Sequence, residues 1–132
     1  MCKLRIARAT LALSVGFALF SPWALAHHSY AMFDGKREVT IEGTVKEFQW
    51  TNPHAWLMVN VPVAGGETQE WAIEMGGPNF LIRQGWKKSM FKPGDKVSVV
   101  LNPMRNGSPG GNMVGATLAS GESVKIVRAG GG

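Results

Sequence analysis

The chain has 132 residues, one cysteine, three histidines and a formal charge of +5, which is enough for one small domain with a single core and too little for two. The charge does not mark a nucleic-acid binder. Lys3, Arg5 and Arg8 fall in what reads as a leader, and the 106 residues after Ala26 carry 11 basic against 9 acidic side chains, close to neutral. Lys87, Lys88 and Lys92 form only a local cluster, which reads as a solvated loop or helix end.

The leader follows the order that export requires. A basic head precedes an apolar run over 9–20, Ser21-Pro22 breaks it, and Ala24-Leu25-Ala26 supplies the small residues that a signal peptidase reads. The run falls short of the roughly 20 apolar residues that span a bilayer. Residues 1–26 are therefore expected to be a cleaved signal, with the mature chain starting at His27, periplasmic or secreted, and without a membrane span. Cys2 leaves with the signal, which excludes a lipid-anchored cysteine, a disulfide and a thiolate metal site from the mature protein.

Beyond the leader, residues 38–46 alternate with period two, which predicts a strand with Val39, Ile41 and Val45 on its inner face. Gly43 interrupts that face and marks a bulge or a sharp bend. A second strand is expected over 54–61, a turn at 64–67 and a third strand over 69–75. Pro78 suits the first turn of a short helix over 78–84, stopped near Gly85. Lys92-Pro93-Gly94-Asp95 forms a turn before strand four at 96–101. A glycine-rich loop over 102–112, a fifth strand at 113–118 and a last short strand at 123–127 complete the pattern. The order predicts a mainly β fold, a small OB-like five-stranded Greek-key barrel with one short helix between strands three and four. An open antiparallel sheet with one helix is the rival. A single barrel domain is expected over 27–128, with a disordered tail at 129–132.

The histidines carry the most informative chemistry, because His27 and His28 would form the mature N-terminus and His54 stands alone at the start of a strand. A first-residue histidine chelates one ion through its α-amine and its imidazole together, and a second histidine completes a nitrogen-only tetragonal site of the kind copper prefers. The amine, with a pKa near 8, is deprotonated at modest cost. Met104 and Met113 flank the glycine-rich loop and are the methionines free to act as softer ligands. Trp50, Asn52 and Trp56, with the loop at 107–111, offer instead a ligand-binding surface, although tryptophans in so small a barrel also serve as core. Glu70 and Glu74 share one strand face, as an acid–base pair or as plain surface. Serine-hydrolase, zincin and Walker motifs are absent from the sequence.

His27-His28-Ser29-Tyr30 with Phe33-Asp34, Asn52-Pro53-His54-Ala55-Trp56, Gly77-Pro78 with Leu81, Arg83, Gly85 and Trp86, and Pro93-Gly94-Asp95 together give a specific pattern. In these motifs the chain resembles a family of small exported bacterial proteins catalogued as a domain of unknown function, DUF6152. The resemblance implies an exported domain and makes the two histidine motifs its hallmark; it supplies neither substrate nor reaction.

Three functional readings follow. The first is a periplasmic metal-binding protein, carrying or handling copper through His27, His54 and His28. The second is an exported OB-like module that binds a small ligand or protein partner without metal. The third is a copper oxidoreductase, with the nitrogen site as its reactive centre, although no catalytic base is evident.

Overall fold

The computed structural model describes residues 30–128. Its strands are β1 (Val39–Gln49), β2 (Trp56–Pro62), β3 (Thr68–Glu74), β4 (Lys96–Pro103), β5 (Gly110–Thr117) and β6 (Ser123–Lys125), and helix α1 (Pro78–Arg83) lies between β3 and β4. The antiparallel order is β3-β2-β1-β4-β5-β6, and a parallel pairing of β3 with β5 closes the first five strands into a barrel. This mixed, closed sheet with its helix between strands three and four is the expected OB-like barrel. The closing seam rules out the open sheet.

Strand β1 serves two neighbours. It pairs with β4 through Val39–Thr44 and with β2 through Thr44–Gln49, so it must bend where the partners change. Gly43 stands at that bend, where a Cβ would lie 2.7 Å from Val59 Cγ1. A register shift between Val45 and Glu47 adds the bulge that carries the strand on to Gln49, past the expected end at residue 46. One extra residue on one strand is how a sheet gains such curvature.

The glycine-rich segment differs most from expectation. Only 104–109 form a loop, because β4 runs to Pro103 and β5 already begins at Gly110. The reason is steric: Gly110 pairs with Ala72 across the seam, and a Cβ there would lie 2.6 Å from the Ala72 carbonyl oxygen. Small residues let the two strands meet. The other edge of β5 is then shared, its first half pairing with β3 and its second with β6.

Alternation along the strands places Leu57, Val59, Ile73, Val99 and Leu101 inside the barrel with no exposed surface, and burying such side chains is the main source of stability. Helix α1 begins with proline in its first turn, as expected. It ends at Gly85, whose φ of +84° admits the turn that brings Trp86 back to the Leu81 carbonyl. Leu81 and Trp86 are buried with the barrel core, and the Trp86 indole N–H donates to the Lys125 carbonyl at 3.3 Å. Of the tryptophans expected in the core, Trp86 is fully buried, while Trp50, Trp56 and Trp71 are half-buried.

Candidate functional site

His54 sits on a loop that hydrogen bonds tie to the end of β3. The Asn52-Pro53 peptide is cis, Thr51 Oγ1 donates to the His54 carbonyl at 2.8 Å, and Ala55 and Met75 bond to hold this loop against the end of β3. Gly77 completes the mounting, because a Cβ there would lie 2.7 Å from the Pro53 carbonyl oxygen. The loop that carries His54 and the Gly77-Pro78 start of α1 therefore fit together directly, and β2 begins at Trp56, two residues after its expected start.

The imidazole Nδ1 lies 2.9 Å from Glu74 Oε1, with the histidine side chain 41% exposed and the carboxylate only 9% exposed. Glu74 shares the outward parity of Glu70, yet it is buried, whereas Glu70 is exposed and paired with Lys46. The two glutamates are thus engaged with different partners rather than with each other. Burial pushes the Glu74 carboxyl above the usual carboxylate range, and the adjacent His54 opposes that rise. A carboxylate facing Nδ1 favours the tautomer with its proton there, leaving the Nε2 lone pair for another partner.

Glu74 belongs to a row of paired residues across one end of the barrel. Gln49 pairs with Trp56, Trp56 with Glu74, Glu74 with Asn112, and Asn112 with Asn102. Glu74, Asn102 and Asn112 are the buried polar side chains among the described residues, so one row collects them all. Each is satisfied: Asn102 Nδ2 donates to the Arg37 carbonyl at 2.8 Å, and Asn112 Nδ2 donates to the Glu74 carbonyl at 3.2 Å. Arg128 donates to Asn112 Oδ1 and holds its guanidinium 5.6 Å from the Tyr30 ring centre. A chain of contacts therefore runs from His54 through Glu74, Asn112 and Arg128 to Tyr30. Asn112 and Arg128 did not stand out in the sequence, and Glu74 was read there only with Glu70, as an acid–base pair or plain surface, since the partners lie 16 to 38 residues away along the chain.

The other sequence-derived candidates fall as follows. His27 and His28 lie outside the described residues. Met113, expected to be free beside the loop, is 1% exposed in the core, because β5 starts three residues earlier than the glycines suggest. Met104 is half-buried and bridges Phe33, next to the segment that leads back to His28. Trp50 is half-buried and edge-on to Phe48 at 5.4 Å, Trp56 is half-buried beside Glu74, and Asn52 is exposed. Among the described residues no three of His, Cys, Asp and Glu gather into a metal-binding cluster, and no helix is long and apolar enough to cross a membrane.

A comparison with curated proteins found no match. The model of one family, DUF6152, a family of unknown function, matches residues 16–113, a span that takes in all three histidines and strands β1 to β4. The match covers most of the chain, and this protein belongs to the DUF6152 family.

Proposed function

We propose that this is an exported copper-binding protein, in which His54 Nε2 and the α-amine and imidazole of a mature N-terminal His27 hold the ion for carriage or handling, with His28 beside them. The observation that carries the reading is the buried Glu74 carboxylate 2.9 Å from His54 Nδ1. A carboxylate behind a histidine is the usual support of a metal ligand, fixing the ring and raising the basicity of the outward nitrogen. The hydrogen bonds that tie the His54 loop to the end of β3 support the pre-organisation that a ligand needs.

The approach of the N-terminal segment supports it as well. Tyr30 is tied through Arg128 and Asn112 to the strand that bears Glu74, and three residues of extended chain reach about 10 Å from Tyr30 back to His27. Copper, the strongest binder of the divalent first-row series, suits a nitrogen-rich tetragonal set. Met113 stays with the core in this arrangement, and Met104 is a softer donor beside the same segment. The export signal over 1–26 provides the free amine by its removal.

Copper(II) titration by calorimetry tests the reading on protein whose N-terminus has been verified as His27. His54→Ala is expected to abolish the tight phase, and Glu74→Gln to weaken it by about 10- to 100-fold, the usual cost of losing a supporting carboxylate. Unchanged affinity in His54→Ala contradicts the proposal.

A further inference from the structure

Trp50, Ile82, Gly85, Trp86, Lys87 and Lys88 line an open groove of about 340 Å³ whose lining includes neither His54 nor Glu74. We propose that this groove and its cationic rim are a docking face for an anionic lipid bilayer.

The apolar part combines an exposed aliphatic side chain with a braced, half-buried indole. Ile82 keeps 57% of its surface in solvent on the outer side of α1, and Trp50 is braced edge-on by Phe48, which is braced in turn by Phe91 at 5.0 Å. An indole and an aliphatic side chain on a fixed base enter the headgroup boundary without further ordering.

The charged residues that line the groove, Lys87 and Lys88, have one sign. From Met75 to Gly94 the sequence contains Arg83, Lys87, Lys88 and Lys92 and no carboxylate. Among the described residues the ion pairs are Lys46–Glu70, His54–Glu74 and Arg105–Asp34, so none of these four cations is neutralised by a protein carboxylate. Lys87 and Lys88 line the groove itself, where their flexible stems can lie on apolar surface while the ammonium groups reach phosphate. This juxtaposition is complementary to an anionic headgroup layer.

A bilayer fits better than an acidic peptide. Peptide recognition needs directional partners or an open strand edge. No buried side-chain polar atom is left without a partner among the described residues, and the groove is bounded by a helix, a turn and an aromatic side chain. A lipid surface requires only matched charge and apolar contact.

Vesicle co-sedimentation tests this, comparing pure phosphatidylcholine with vesicles containing a third phosphatidylglycerol, and using protein that begins at His27 throughout, so that the basic head and apolar run of residues 1–26 contribute to no sample. The difference between the two vesicle types is the readout. Binding should favour the anionic vesicles and weaken with salt. Reversing two lysines in Lys87→Glu/Lys88→Glu should reduce the anionic preference by at least about 30-fold, from about fivefold for each cation lost, with the added carboxylates contributing further repulsion. Ile82→Asp should weaken binding to the anionic vesicles by about tenfold through lost burial, and a thermal melt checks that each variant is folded. Lys36→Glu/Lys96→Glu changes net charge equally and lies off the groove; it should retain most binding. Equal binding to both vesicle types, equal losses in the two double variants, or full binding by folded Ile82→Asp overturns the proposal. Binding of polyglutamate at the groove without vesicle binding overturns it too, in favour of an acidic polypeptide.

Discussion

Replacing Gly110 by alanine probes the closure of the barrel. The added Cβ would sit 2.6 Å from the Ala72 carbonyl oxygen, well inside ordinary van der Waals contact, and the obstructing atom is backbone rather than a flexible side-chain end. The seam can yield only by moving β3 away from β5, where three residue pairs, Ala72–Gly110, Ile73–Gly111 and Glu74–Asn112, make the contact. Overpacking of this kind costs typically 1–3 kcal/mol, and stretched ladder bonds add about 0.5–1.5 kcal/mol each. A loss of about 3 kcal/mol corresponds to a Tm decrease of about 12–24 °C for a domain of this size. Scanning calorimetry measures it beside Gly35→Ala, where a Cβ meets nothing within 4 Å and the change should stay within about 0.5 kcal/mol. A Gly110→Ala protein that melts within a few degrees of the parent refutes the steric account of the seam.

Other perturbations address the core and the buried row. Because burial raises the Glu74 pKa on folding, its neutral form contributes stability that is present below the usual carboxylate range and is lost as pH rises through the raised value. In metal-free protein, Glu74→Gln should therefore gain in stability on the parent as pH increases through that window, measured by urea titrations at several pH values; parallel pH curves would contradict this. Trp86→Ala empties the site of a side chain 1% exposed and should cost about 3–5 kcal/mol, measured as a collapse of the cooperative near-UV transition. Asn112→Ala removes the donor to the Glu74 carbonyl and the acceptor for Arg128; a cost of about 1–3 kcal/mol is expected, with faster amide exchange at 126–128.

Local signals in the sequence located most of the fold. Alternation marked β1 and β3, Pro78 marked the start of α1, and Pro93-Gly94 marked the turn before β4, because each depends on neighbours a few residues apart. The parallel seam was hidden for the opposite reason. Gly110 reads as loop in the sequence, and its partner Ala72 lies on another strand. The same limit applied at the site. His54 was visible as an isolated histidine, but the outward parity of Glu74 suggested solvent, and only the meeting of β2, β3 and β5 buries it. Met113 was read as the first residue of strand five, free at the edge of the loop; the strand starts three residues earlier and sets it in the core.

The proposed copper site requires a free amine at His27, and that requirement can be measured directly. Copper(II) affinity should be compared between protein beginning at His27 and the same protein with one extra residue ahead of it, which converts the amine to an amide without touching the barrel. The account predicts that the extra residue weakens binding by at least about tenfold, through loss of one ligand, while the Tm of the metal-free protein is unchanged. Equal affinities in the two forms would contradict it.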